Sequence, residues 1–187
     1  MKTIILGPPG TGKTTTLLNL VDEFLKDGIR PRQIGYFSFT KKAATEDGTF
    51  NSDNEYLTII NTAAVKRMDL LDYYDSRKNI LDIERNTLFL LAEELKRFKK
   101  EKGLKDFNDL IEDFLLKETL NKFEVLFIDE AQDLSLLQWE MVRKIWAKAN
   151  KTYIAGDDDQ AIFKWAGADV DHFIALKEEV NDIKICC

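Results

Sequence analysis

The sequence predicts an α/β fold, a mainly parallel sheet covered on both faces by helices. Three observations carry that expectation: apolar runs of strand length are separated by helical segments, a glycine-rich loop follows directly on the first run, and an acidic cluster ends a later one. Strands are expected near 2–6, 34–38, 124–128, 151–155 and 182–186, and helices near 13–26, 78–101, 106–118, 135–148 and 169–178. Ligands on such sheets collect at the carboxyl ends of the strands, where Gly7, Asp129 and Gly156 all fall.

The first apolar run, Thr3-Ile4-Ile5-Leu6, leads into Gly7-Pro8-Pro9-Gly10-Thr11-Gly12-Lys13-Thr14, which fits G-x-x-x-x-G-K-[ST]. Glycines are needed because the backbone must wrap a polyphosphate closely enough for successive N–H groups to point inward, and a Cβ would obstruct that approach. The helix starting near Lys13 adds its positive end. Lys13 places a charge between β- and γ-phosphates, the Thr14 hydroxyl is expected on Mg²⁺, and Thr15 completes the ATP-binding set.

The strand near 34–38 ends in Phe37-Ser38-Phe39-Thr40-Lys41-Lys42-Ala43-Ala44. After it the alternation breaks over roughly 48–105, where a polar stretch from Glu46 to Glu55 is followed by a long charged helix. A single ATPase domain over 1–187 with a short accessory insertion at 48–105 is the expected organisation. Lys96, Arg97, Lys99, Lys100, Lys102 and Lys105 suit phosphate contacts or a solvated helix end equally well. Asp106-Phe107-Asn108-Asp109-Leu110 opens the next helix.

The strand Val125-Leu126-Phe127-Ile128 ends in Asp129-Glu130-Ala131-Gln132-Asp133. A carboxylate at Asp129 can reach the Mg²⁺ held by Thr14, often through a water. Glu130 stands where a carboxylate can orient and deprotonate the water that attacks a γ-phosphate, which favours hydrolysis over transfer to an acceptor. Further on, Tyr153-Ile154-Ala155-Gly156-Asp157-Asp158-Asp159-Gln160 ends another strand in a polar turn, followed by Ala161-Ile162-Phe163-Lys164-Trp165-Ala166-Gly167.

Taken together and in this order, these segments resemble the first motor domain of the UvrD/Rep type of superfamily 1 helicases, whose fold is a RecA-like P-loop NTPase. The resemblance spans nearly the whole chain. It implies an ATP-driven enzyme moving on single-stranded DNA, with RNA left open, in which Lys13, Asp129, Glu130 and Gln160 are catalytic. By it Gln160 senses the γ-phosphate, and Gln132 and Asp133 link the nucleotide to the DNA-contacting elements. Phe39, Thr40, Lys41, Phe163 and Trp165 become the nucleic-acid contacts. Flat aromatic faces grip a strand without reading its sequence, at about 1–3 kcal/mol per base. Phe39, Phe163 and Trp165 also suit a hydrophobic core.

The departures from the family pattern are specific. No adenine-recognising glutamine precedes the loop, Thr58-Ile59-Ile60-Asn61 stands where Thr-Ile-His-Ser is common, and Ala166 replaces a frequent arginine. The sequence reaches Cys187 where the family proceeds to a Tyr-Arg motif and a second motor domain, so that domain is an expected partner. A lone first domain lacks the arginines that stabilise charge on the γ-phosphate, and weak activity is the expectation for it. The alternative is a free-standing ATP-binding switch acting on a protein partner.

Composition agrees with a single packed unit. A chain of 187 residues with 44% hydrophobic content can bury about 70% of its unfolded surface without disulfides or a structural metal. Adjacent cysteines at 186 and 187 do not suit a disulfide, so a cytoplasmic setting is expected. Met1 leads straight into the first strand, and neither a signal peptide nor a membrane span is expected. The net charge of −6 is mildly adverse to nucleic acid, and its acidic excess gathers after residue 124, partly at the expected metal site.

Overall fold

The computed structural model describes residues 1–38, 54–157 and 170–186. Within them one sheet is built from β1 (Lys2–Leu6), β2 (Ile34–Ser38), β3 (Phe123–Asp129), β4 (Ala149–Gly156) and β5 (Asp182–Ile185). The strand order is β2-β3-β4-β1-β5, and every pairing is parallel. This is the α/β, RecA-like arrangement expected of the sequence.

Successive residues of a strand point to opposite faces, and here both faces are covered. On one, Ile5, Val125, Phe127, Tyr153 and Ala155 pack under Leu17 and Phe24 of α1 (Lys13–Lys26). On the other, Ile4, Leu126, Ile128 and Ile154 pack with Trp139, Val142 and Trp146 of α6 (Leu136–Trp146) and with Phe173 of α7 (Val170–Ala175). Burial on both faces is why the central strands read as continuous apolar runs rather than alternating ones. Each such fully buried side chain contributes roughly 1.5–3 kcal/mol.

Between β2 and β3 lie α2 (Glu55–Val65), α3 (Leu70–Asp75), α4 (Arg85–Lys102) and α5 (Phe107–Leu116). Ile59, Ala63, Tyr73 and Leu88 give α2, α3 and α4 a small apolar centre of their own. Arg67, just past α2, pairs with Glu112 of α5 and with Glu140 of α6, fastening these helices to the layer that covers the sheet. The starts of these helices are chemically marked. Asn54 accepts from the Leu57 N–H, Asp69 from those of Leu71 and Asp72, and Asp106 with Asp109 and Ser135 with Gln138 form reciprocal caps. Caps of this kind are worth about 1 kcal/mol each.

Two expectations are corrected here. The long charged helix begins at Arg85 and not at 78, because residues up to Glu84 are drawn into turns that seat Leu81 and Ile83 against the small apolar centre. The Ile83 carbonyl there accepts the Tyr74 hydroxyl at 2.8 Å. Helices α2 and α3 were not expected, since α2 buries only Ile59 and Ala63 and the rest of it is half-covered or polar. The segment expected as a helix over 169–178 is α7 continued by a 3₁₀ turn at Leu176–Glu178. Among the described residues no helix is long and apolar enough to cross a membrane.

Candidate functional site

The loop between β1 and α1 is shaped by three glycines with distinct roles. Gly7 ends β1 where a Cβ would lie 2.6 Å from the Cys186 carbonyl oxygen and 2.7 Å from Thr11 Oγ1. Gly10 and Gly12 hold φ of 78° and 80°, the left-handed region that costs other residues about 1–2 kcal/mol. Gly12 is the N-cap of α1. It offers no side-chain cap, and the first turn of the helix itself holds no acidic residue, so the positive end of α1 faces the loop.

Lys13 is buried, and its Nζ donates to the carbonyls of Gly7 at 2.6 Å and Pro8 at 3.0 Å. Among the described residues it has no carboxylate partner. A buried ammonium that donates to neutral carbonyls keeps its positive charge, which favours an anion beside it. Pro9, Gly10, Gly12, Lys13, Thr14, Thr15 and Glu130 line a cavity of about 350 Å³. Thr11 lies outside this lining, its hydroxyl donated to the Pro8 carbonyl at 2.8 Å.

At the end of β3, Asp129 is nearly fully buried and accepts three hydrogen bonds from the described residues. Thr14 Oγ1 donates to its Oδ2 at 2.8 Å, the Tyr36 hydroxyl to the same oxygen at 3.0 Å, and the Glu130 N–H to Oδ1 at 3.0 Å. Burial, reinforced by the charges of Asp129 and Glu130, pushes the Tyr36 hydroxyl above the ordinary tyrosine range. Glu130 sits at φ 54°, an uncommon conformation for a residue with a Cβ. That turn presents its side chain to the cavity. Gln132 Nε2 donates to Glu130 Oε2 at 2.7 Å, while Gln132 Oε1 accepts the Asp157 N–H at 3.0 Å. The amide thus ties the acidic turn after β3 to the end of β4.

The fold therefore brings together the loop residues, Thr14, Asp129 and Glu130. Gln160, Phe39, Thr40, Lys41, Phe163 and Trp165 lie outside the described residues. Tyr36 was missed by the sequence reading. Its partner is distant in sequence, and an aromatic in a strand reads first as core; the available signal was its place in β2, directly opposite Phe127 and hence two positions from Asp129 along one face.

A parallel sheet with a glycine loop, a buried lysine and an adjoining strand-end carboxylate defines a P-loop nucleotide-binding fold. The UvrD/REP helicase N-terminal domain family matches residues 1–49 and 47–181, and the chain belongs to it. It is 30% identical over 96 residues, 46% of its length, to the ATP-dependent DNA helicase Rep of Buchnera aphidicola subsp. Baizongia pistaciae. It is 29% identical over 171 residues, 83% of its length, to the RecBCD enzyme subunit RecB of Buchnera aphidicola subsp. Acyrthosiphon pisum. Against the ATP-dependent DNA helicase PcrA of Staphylococcus epidermidis it is 33% identical over 88 residues, 42% of its length. The match covers only 14%, 14% and 12% of these three relatives.

Proposed function

We propose that the chain is the ATP-binding and hydrolysing motor domain of a superfamily 1 helicase, acting on single-stranded DNA and completed by a second motor domain. The observation that carries this reading is the 2.8 Å bond from Thr14 Oγ1 to Asp129 Oδ2 at the cavity that Lys13, Thr14 and Glu130 line. It joins the loop and the acidic strand end into one site. Family membership and relatives that are named ATP-dependent DNA helicases support it.

The residues present fit a magnesium nucleotide. The cradle needs glycine at Gly10 and Gly12, the buried Lys13 ammonium donates to loop carbonyls with no carboxylate partner among the described residues, and a hydroxyl and a carboxylate lie in contact beside it. Thr14 and Asp129 would hold Mg²⁺, which would supply positive charge against that of the phosphates. In this reading Lys13 exchanges its loop carbonyls for phosphate oxygens. Glu130 orients the attacking water and accepts its proton as the oxygen bonds to the γ-phosphorus and the bond to the β–γ bridging oxygen breaks. Gln132 holds Glu130 in place through the bond described above.

Gln160 as γ-phosphate sensor and Phe39, Thr40, Lys41, Phe163 and Trp165 as strand contacts complete the reading, together with a cytoplasmic setting and the 48–105 segment as an accessory insertion. Calorimetry of ATP with Mg²⁺ tests its foundation: the wild type binds, Lys13→Ala nearly abolishes binding, and unchanged affinity in Lys13→Ala would sink the proposal.

A further inference from the structure

Asp129 ends β3, and two positions back along the same face of the sheet lies a row of aromatic residues. Tyr36 of β2, Phe127 of β3 and Tyr153 of β4 stand side by side in register. Their rings stack, Tyr36 on Phe127 with centroids 6.0 Å apart and Phe127 on Tyr153 at 5.3 Å, with interplanar angles of 29° and 15°. Phe127 and Asp129 are two residues apart on one strand and so share a face. A ring opposite Phe127 therefore needs only its own length to bring a hydroxyl to Asp129, and Tyr36 does so at 3.0 Å.

We propose that Tyr36 is a positioning residue for the Asp129 carboxylate in its metal-binding role, a step that rests on the nucleotide reading above. Among the described residues, three donors reach the carboxylate. The Glu130 N–H belongs to the turn itself, and the Thr14 hydroxyl is also the group that would turn its oxygen to Mg²⁺. Tyr36 is the side-chain donor with no such second duty, and its ring is clamped by Phe127. It holds Oδ2 at a set orientation whether or not Thr14 stays bonded. A carboxylate already aimed loses less freedom when a metal binds, and partners of this sort typically change metal affinity by a factor of ten or more.

Tyr36→Phe keeps the stacked ring and deletes only the donor. The experiment measures ATP binding by the full 187-residue chain, by calorimetry in EDTA and then across a Mg²⁺ titration, with circular dichroism confirming the fold. ATP affinity in EDTA should be the same for wild type and Tyr36→Phe, while the Mg²⁺ concentration at half-effect should rise roughly tenfold in the variant. A purely structural hydroxyl would lower thermal stability and leave that midpoint unmoved. Equal midpoints, in a wild type that does respond to Mg²⁺, overturn the positioning role alone. A wild type whose ATP binding ignores Mg²⁺ overturns the nucleotide reading and this inference with it.

Discussion

Thr14, in the first turn of α1, and Asp129, at the end of β3, are separated by 115 positions and joined by a 2.8 Å hydrogen bond. The bond is made between two of the chain's own side chains, so its loss has a cost that is independent of ligand. Thr14→Val should destabilise the chain by about 1–2 kcal/mol, because a buried carboxylate loses one of its donors. Urea denaturation in EDTA measures that cost. In the presence of ATP, Asp129→Ala should weaken the dependence of binding on Mg²⁺, and an unaltered dependence would separate the carboxylate from the metal.

Glycine substitutions should rank by what surrounds each site. A Cβ at Gly156 would lie 2.4 Å from Phe173 Cζ and 2.9 Å from Gln132 Oε1, so Gly156→Ala forces a buried ring to move and strains the Gln132 bridge. The expected loss is about 3 kcal/mol. At Gly10 no atom lies within 4 Å of the added carbon and only the left-handed φ opposes it, for about 1 kcal/mol. Denaturation midpoints check the order, and a Gly10→Ala variant less stable than Gly156→Ala would contradict it.

Acid should loosen the start of α5 first. Burial acts to raise the Asp109 carboxyl, but the Lys99 ammonium 2.9 Å away and the Asp106 N–H outweigh it and hold the group below its ordinary value of 3.8. A depressed carboxyl contributes stability above its unfolded pKa and loses it as pH falls through the lower folded one. Thermal midpoints should therefore fall as pH drops below about 4. Asp109→Asn should lower stability at neutral pH and flatten that acid limb, as scanning calorimetry between neutral and strongly acidic buffer would show.

Single-stranded DNA should bind this chain weakly and without sequence preference, and less as salt is added, since phosphate contacts release counterions. Trp165→Ala should weaken binding by one stacking contact, about 1–3 kcal/mol. Anisotropy of a labelled oligonucleotide reads both effects. Equal affinity in the two proteins would return Trp165 to the core.

The strands and the loop were legible because their signals are local. Ile4 and Ile5 serve opposite faces of a sheet covered on both sides, so β1 is apolar throughout and its end is announced by Gly7. Ser135 and Asp106 mark their helices in the same local way, with the residue three positions on returning the bond. What was hidden depends on distant partners. Residues 78–84 carry helix-compatible side chains, but Leu81 and Ile83 are taken by an apolar centre assembled from α2, α3 and α4. Tyr36 is the same lesson at the site, since its hydroxyl has meaning only once β2 lies beside β3.

The ring stack that crosses β2, β3 and β4 has a consequence for how this sheet is assembled. Parallel strands cannot be joined by tight hairpins, and β2 meets β3 only after a long excursion whose described part includes α2, α3, α4 and α5. Long excursions of that kind leave the alignment of two strands open to error by one residue, which would throw every side chain to the wrong side. Tyr36, Phe127 and Tyr153 penalise such an error together, because sliding any one strand by a single position takes a large ring out of the row and buries a mismatch. The rings thus act as alignment pins, and the strand ends that carry Asp129 and Gly156 arrive at one level because of them.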